Sequence, residues 1–283
     1  MTQNILTFFK RLIFIFASYV GFSQDTLYLN RGMQTLVNGE KIMSLEISKI
    51  DTFSQSSAVL QWQPNEMHVL HIINHDTMMH QLQLANQTFV VGALGSVTQT
   101  INPLSVDLYW LKSVVKEHQY LGMNLIVDVN ETHQNSFYWN LQAIDNVFNE
   151  RIAEGVALNY ANFNPHYYTI NKLSQPDIQN DTSAVVTGKV GDTIRLVVAN
   201  AGLQTHAIHF HGYHVIIKKA SVHTHMIGWE KDTYPVAPNE LHLVEIIPDK
   251  PGIYPVHDHN LMATLANGEY GKGMLVYLNI SER

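Results

Sequence analysis

The 283-residue sequence contains no cysteine. It therefore forms no disulfide, and a chain of this size must rely on its hydrophobic core, which it is long enough to build. A blue copper centre is excluded as well, because such a centre needs a cysteine thiolate beside two histidines.

Charge is also scarce, since 14% of the residues are charged, 46% are hydrophobic and the formal net charge is −7. This balance is typical of a globular protein with room for two domains. The net charge is negative and the acidic residues are spread rather than in blocks, so neither nucleic acid nor an anionic membrane surface is an expected partner. A nucleophile elbow, a phosphate-binding loop and a paired-carboxylate signature are absent too.

Long apolar runs are absent except near the N-terminus, where Lys10 and Arg11 precede an apolar stretch over residues 12–20. This pattern predicts a signal peptide over residues 1–23, cleaved near Gln24, and hence export to the periplasm or the cell exterior. The stretch is too short to span a bilayer, and no other one could do so. An uncleaved anchor is the alternative.

Histidine is abundant by contrast, and nine of the sixteen histidines lie between positions 206 and 259. The densest groups are in two runs that resemble strands, His206–Gly212 and Pro251–His259. Side chains alternate faces along a strand, so His209 shares a face with His211, and His257 shares one with His259. If the strands are neighbours, four imidazoles converge, and neutral imidazole binds copper, zinc, iron or nickel. Histidines on a solvated sheet face are the alternative.

His206 is an odd number of positions from His209 and His211. In a continuous strand its side chain therefore points to the opposite face, into a different environment.

Short alternating runs at 45–48, 58–62, 67–73, 81–84 and 194–198 predict the strands of a β-sandwich. A helical spacing from Ile144 to Ile152, followed by Gly155, indicates one short helix.

One residue spacing and one residue pair each occur twice along the chain. Asn74 lies six residues before His80, as Asn200 lies six before His206, and the Gly-Met pair at 122–123 recurs at 273–274. The chain is thus predicted to contain two copies of one unit.

The pattern H-x-x-H-x-H-G at 206–212, followed by P-G-x-Y-x-x-H-x-H at 251–259, resembles the multicopper oxidases and the two-domain copper nitrite reductases. The resemblance covers most of residues 40–280 and implies an all-β chain of two tandem cupredoxin-like Greek-key sandwiches. Domain 1 would span 25–130, an interdomain connection 131–184 and domain 2 residues 185–283. Copper as the cofactor and assembly as a homotrimer are implied in the same way.

In domain 1 the resemblance places His80, His118 and Met123 at blue-centre positions, with Ser113 where the family has cysteine. A serine hydroxyl is a hard, weak ligand, so the remaining set could at best hold Cu(I) through two imidazoles and a thioether. A decayed site, in which these side chains only pack, is the alternative.

The other half-site of domain 1 has lost its ligands. Where the family has four interface histidines, this sequence has Gln83, Ala85, Lys112 and Val114. Lys112 would oppose a bound cation if it pointed into that space, unless it were deprotonated or turned away.

Domain 2 shows the reverse pattern. Asp258 stands at the cysteine position and Ala263 at the later histidine of its blue centre, whereas His209, His211, His257 and His259 all remain. These four are the predicted metal ligands, and His206, His80, His118 and Met123 are weaker candidates.

We therefore predict an exported copper-binding protein of the multicopper oxidase type, with a non-blue centre on domain 2 and oxidoreductase activity on a small substrate. No catalytic residue is assigned, and electrons would come from an outside donor. One alternative is a non-catalytic copper carrier or buffer. The other is a metal-free scaffold that acts by binding a partner.

Overall fold

A computed structural model of the protein describes residues 23–283. The predicted signal peptide, residues 1–23, lies outside the described residues except for Ser23. Within the described range, no helix is long and apolar enough to cross a membrane.

The first domain is a sandwich of two sheets. Its elements in chain order are β1 Ser23–Thr35, β2 Lys41–Ser48, β3 Val59–Trp62, β4 His68–Asn74, β5 His80–Leu84, β6 Gln87–Val91, β7 Ser96–Ile101, β8 Asp107–Ser113, α1 Lys116–Tyr120 and β9 Asn124–Val129. One sheet has the order β2-β1-β4-β7 and the other the order β3-β9-β8-β5-β6. Strand β5 buries every second residue, which is the period-two pattern of a half-buried strand.

Residues 131–184 contribute to the second sandwich besides joining the domains. They hold β10 Ser136–Ile144, α2 Asn146–Ala153 and β11 Tyr167–Ile170, with short 3-10 turns at Tyr160–Asn162 and Asp177–Asn180. Helix α2 confirms the predicted short helix, and the Asp145 side chain caps it by accepting from two backbone N–H groups. Strand β10 pairs with β13 of the second domain, and β11 extends the same sheet at its edge.

The second domain repeats the architecture. Its elements are β12 Val186–Lys189, β13 Ile194–Asn200, β14 His206–Phe210, β15 Val215–Ala220, β16 Glu230–Lys231, β17 Thr233–Val236, β18 Leu241–Ile246, β19 Gly252–Asp258, β20 Leu265–Ala266, β21 Glu269–Tyr270 and β22 Leu275–Ser281, with 3-10 turns at Thr224–Met226 and Leu261–Thr264. Its sheets have the orders β11-β10-β13-β18-β15-β16 and β12-β22-β19-β14-β17. The chain is thus a pair of tandem β-sandwiches, as predicted.

A polar network at the domain junction is built around Asp128, which is buried. Its carboxylate accepts from the Tyr138 hydroxyl at 2.8 Å and from the Arg195 guanidinium at 3.2 and 3.3 Å. Gln61 in turn donates to the Tyr138 hydroxyl at 2.9 Å. Because a buried carboxylate is costly unless it is paired, this network favours one relative placement of the two sandwiches.

A buried lysine ties the connection to domain 1. The Lys172 ammonium donates to the Leu45 carbonyl at 2.7 Å and lies 3.6 Å from Oε2 of Glu46. Both side chains are almost fully buried. Burial lowers the pKa of Lys172 to about 8, although Glu46 opposes that shift.

Candidate metal centre

The four predicted ligands of domain 2 come together at one end of two neighbouring strands. Strands β14 and β19 are antiparallel, and His209 lies directly opposite His257. His211 and His259 follow just beyond the strand ends, where the His211 N–H donates to the Pro255 carbonyl at 3.1 Å and the His259 N–H to the Ala207 carbonyl at 2.7 Å. The alternation of side chains therefore places all four imidazoles on one face.

The four rings are in direct contact range. The His209 ring centroid lies 4.6 Å from that of His211, 5.6 Å from His257 and 5.4 Å from His259. The His211 and His257 centroids are 5.1 Å apart. The cluster is half open to solvent, because His211 and His259 are exposed whereas His209 and His257 are partly buried.

Hydrogen bonds on Nδ1 fix two of the rings. His209 Nδ1 lies 2.7 Å from the Thr233 hydroxyl, and His257 Nδ1 lies 2.8 Å from the Asp258 carbonyl. A carbonyl only accepts, so we assign the His257 proton to Nδ1 and a lone pair to Nε2. Such a bond on the far nitrogen is how proteins orient a metal-binding histidine.

His211 and His257 approach each other through their Nε2 atoms, which are 3.0 Å apart. Burial, together with the neighbouring His209 and His257, lowers the pKa of His211, so this ring is neutral near pH 7. Two nitrogens bound to one tetrahedral ion at about 2.0–2.1 Å would lie about 3.3 Å apart. The observed 3.0 Å is shorter and is a hydrogen bond, in which the His211 Nε2–H donates to the lone pair of His257 Nε2, so a bound ion would have to displace that proton.

Nitrogen is the common donor of the cluster, and this chemistry fits a non-blue copper or zinc site. Within residues 23–283, no three His, Asp or Glu side chains have their ligand atoms already gathered at one metal position. His211 and His259 are exposed, so their rings can turn toward the anchored His209 and His257 without displacing core residues. That the four bind a metal stays a prediction.

The opposite face of the same strands is buried. His206 and Asp258 are both fully buried, and His206 Nδ1 lies 2.7 Å from Asp258 Oδ2. Oδ1 of Asp258 accepts from the backbone N–H groups of Ala207 and Asn260, at 3.2 and 2.9 Å. His206 thus faces away from the four-histidine cluster, as its parity predicts. Its Nδ1 bonds to Asp258, and its Nε2 is buried without a hydrogen-bond partner among residues 23–283.

Comparison with known proteins finds one related family. The family model described as multicopper oxidase matches residues 152–273, a range that includes all four clustered histidines. The chain resembles the multicopper oxidases. It lacks their blue-copper cysteine, since it has no cysteine at all.

Solved structures show the same two-sandwich fold. The blue copper oxidase from Nitrosomonas europaea is 19% identical with a TM-score of 0.76, over 92% of this chain and 86% of that one. The multicopper oxidase mgLAC is 16% identical with a TM-score of 0.75, over 92% and 87%. The copper nitrite reductase from Nitrosomonas europaea is 10% identical with a TM-score of 0.68, over 92% and 94%. No curated protein matches the sequence.

The domain-1 positions that correspond to a multicopper oxidase's blue centre lie close together in the interior. The rings of His80 and His118 are 5.2 Å apart, and Met123 and Ser113 are fully buried. The Met123 N–H donates to the His118 carbonyl at 2.8 Å, and the Ser113 N–H donates to the Met123 carbonyl at 2.9 Å. Burial and the neighbouring His80 lower the pKa of His118, which is therefore neutral near pH 7. The weaker candidates of domain 1 thus form one group, separate from the weaker candidate His206.

The other half-site of domain 1 offers no ligand, in contrast to the multicopper oxidase pattern. Gln83 is exposed and donates to the Ala85 carbonyl at 3.2 Å. The Lys112 ammonium donates to Oδ1 of Asn239, in domain 2 of the same chain, at 2.9 Å. Lys112 is therefore turned onto its own chain, which is one of the outcomes that the sequence analysis left open.

Two residues that support the candidate ligands were not singled out from the sequence. Thr233 is adjacent to His209 only because β17 pairs with β14. Asp76 accepts from Nε2 of His80 at 2.9 Å, and its position four residues before His80 is the signal that could have found it.

Proposed function

We propose that the protein is an exported copper-binding protein of the multicopper oxidase type, with a non-blue copper centre on His209, His211, His257 and His259. The observation that carries this proposal is the convergence of four imidazoles on one face, with ring centroids 4.6 to 5.6 Å apart and His209 oriented by Thr233. An imidazole in its neutral form repels no cation and has one nitrogen lone pair to offer a metal.

Copper is the favoured ion for two reasons. The solved relatives described above are copper proteins by name. Among the divalent first-row ions, Cu(II) binds nitrogen donors most tightly. Within one chain, Lys112 does not oppose a copper ion at the four histidines, because its ammonium bonds to Asn239.

The absence of a cysteine thiolate determines where electrons must come from. Bound copper would supply one-electron oxidation and reduction, while the chain itself binds the ion through its imidazoles and orients His209 through Thr233. Without the blue centre that feeds electrons to the cluster in the family, electrons must arrive from an outside donor. We infer oxidoreductase activity on a small substrate at this open face.

A second function, a copper carrier or buffer without turnover, is favoured by the exposure of His211 and His259. Ligands at the surface allow an ion to be passed to another protein or to a chelator. The four-histidine site is common to both functions, and only turnover separates them.

The first experiment is copper analysis with electron paramagnetic resonance on the mature full chain after loading with Cu(II). We expect stoichiometric copper with the paramagnetic resonance spectrum of an ordinary, non-blue copper site. Both the copper and the spectrum should be lost in the His209→Ala/His257→Ala variant. His214→Ala is the matched control, because His214 is exposed in the same segment but outside the cluster. A parent chain without tight copper would refute the metal site.

Turnover is measured on the same samples as oxygen uptake with a small phenolic or ascorbate donor. Uptake that disappears in the double variant supports the oxidoreductase. Copper that transfers to a chelator without any uptake supports the carrier. The mass of the exported chain tests cleavage near Gln24.

A further inference from the structure

Histidine rings also meet in the loop that joins β15 to β16, outside the positions of the multicopper oxidase pattern. His223 and His225 flank Thr224 in this loop, and their ring centroids are 5.8 Å apart. Two imidazoles that share one ion, at a metal–nitrogen distance of about 2.0–2.1 Å, have ring centroids about 5–6 Å apart. The spacing of these two rings thus permits one ion between them.

A buried carboxylate fixes one of the two rings. Nδ1 of His223 lies 2.9 Å from Oε2 of Glu240, which is fully buried. A carboxylate only accepts, so the neutral His223 ring carries its proton on Nδ1 and a lone pair on Nε2. An imidazole that donates to a carboxylate through one nitrogen is the arrangement in which histidine binds metal ions through the other.

Glu240 also fixes the backbone of the loop. Its Oε1 accepts from the His223 N–H at 2.7 Å, and its Oε2 accepts from the Ala237 N–H at 2.8 Å. Burial alone would raise the pKa of Glu240, but these bonds lower it to about 2, so the carboxylate is charged at neutral pH. This charge strengthens the His223 ring as a donor and attracts a cation.

The turn that carries His225 is held by the core. Residues Thr224–Met226 form a 3-10 turn, and the Met226 side chain is buried in domain 2. The Trp229 N–H donates to the Met226 carbonyl at 3.0 Å, which closes the loop. His225 itself is exposed, so its ring can turn toward Nε2 of His223 while its backbone stays in place.

We propose that His223 and His225 form a second site, at the surface, for a divalent transition-metal ion that prefers nitrogen donors. Cu(II) binds there most tightly and Zn²⁺ more weakly, which is their order of affinity for imidazole. Water completes the coordination, since within residues 23–283 no third His, Asp or Glu side chain is gathered with them at one metal position. With two protein ligands instead of four, this loop site releases its ion more readily than the four-histidine centre.

The position of the ion is tested through Trp229. Its ring centroid is 5.6 Å from that of His225, and paramagnetic Cu(II) quenches the fluorescence of a nearby indole. The mature chain with His209→Ala/His257→Ala is titrated with Cu(II), because this background lacks the four-histidine centre. We expect saturable quenching that is lost in a further Trp229→Phe variant, which keeps the three other tryptophans.

Removing either imidazole identifies the ligands. His223→Ala and His225→Ala should each abolish the quenching of Trp229, and His225→Ala leaves the fold intact because that side chain is exposed. His214→Ala is the matched control, since His214 is an exposed histidine of the same domain outside the loop, and it should change nothing. A large excess of Zn²⁺ should restore the fluorescence, because Zn²⁺ takes the same nitrogens and has a filled d shell.

Glu240→Gln distinguishes an oriented site from a chance pair of surface histidines. We expect the Cu(II) affinity of the loop site to fall by about 10-fold in folded protein, as checked by circular dichroism. An unchanged affinity would overturn the positioning role of Glu240.

A background chain without Trp229-dependent quenching would overturn the loop site. So would quenching that survives the loss of both imidazoles, or that excess Zn²⁺ does not reverse. The loop site does not depend on the four-histidine centre, so these results would leave the copper measurement on the parent chain unaffected.

Discussion

Lys172 is expected to make the stability of the protein rise with pH above neutrality. Its ammonium is buried between the connection and domain 1, and the pKa falls from an ordinary 10.5 to about 8. Between these two values the unfolded chain keeps a proton that the folded chain has released. Stability therefore increases with pH across this window, since the unfolded state binds more protons.

The size of the effect follows from the same two numbers. A difference of 2.5 pKa units corresponds to about 3 kcal/mol. Between pH 7 and pH 9.5, about 2 kcal/mol of this should be regained. Buried Tyr120 and Tyr234 have raised pKa values because of burial, so the unfolded chain loses their protons first and stability falls above about pH 10. Measurements should stop below that point.

The assay is urea unfolding of the mature chain at intervals between pH 7 and pH 9.5. Glu46→Gln/Lys172→Met removes both charges together, because removing one alone would strand its partner in the interior. This variant should lose the rise in unfolding free energy, whereas Lys41→Met, at an exposed lysine of β2, should keep it. A flat wild-type profile, or a double variant with the full rise, would refute the assignment.

Three further predictions concern single positions. Thr233→Val should weaken Cu(II) binding by about 10-fold in a competition titration, because His209 loses its 2.7 Å partner while the volume is conserved. Burial alone would raise the pKa of Glu240, but hydrogen bonds from His223 and Ala237 lower it to about 2 from 4.5. About 3 kcal/mol should therefore be present above pH 4.5 and be lost as pH falls toward 2, with Glu240→Gln lacking that slope in acid unfolding. Gly122→Ala should lower the unfolding free energy by about 1–3 kcal/mol in urea, since φ there is +110° and a Cβ would meet the Leu45 carbonyl.

The strands and the four-histidine cluster could be predicted because both depend on local spacing. Period-two alternation placed β4, β5 and β13 to within about two residues, a scale usual for element boundaries. The His-x-His parity separated His206 from His209 before any strand pairing was known. Strands β10 and β11 were harder, since β10 is buried along almost its whole length and shows no alternation.

Contacts between distant segments could not be predicted in this way. The bond between Lys112 and Asn239 joins residues 127 positions apart, and it depends on how the two sandwiches pack. Thr233 reaches His209 through the pairing of β17 with β14. Neither pairing leaves a periodic signal, because the spacing of residues along one strand carries no information about its neighbour.

The buried side chain of Asp258 supports the strand pairing that brings the four histidines together. Its side chain points inward, between His257 and His259, which point outward. By accepting from His206 and from the Ala207 and Asn260 backbones, the carboxylate joins β14 to the end of β19. Hydrogen bonds between protein atoms thus maintain the register that brings His209 opposite His257, on the other face of the same strands.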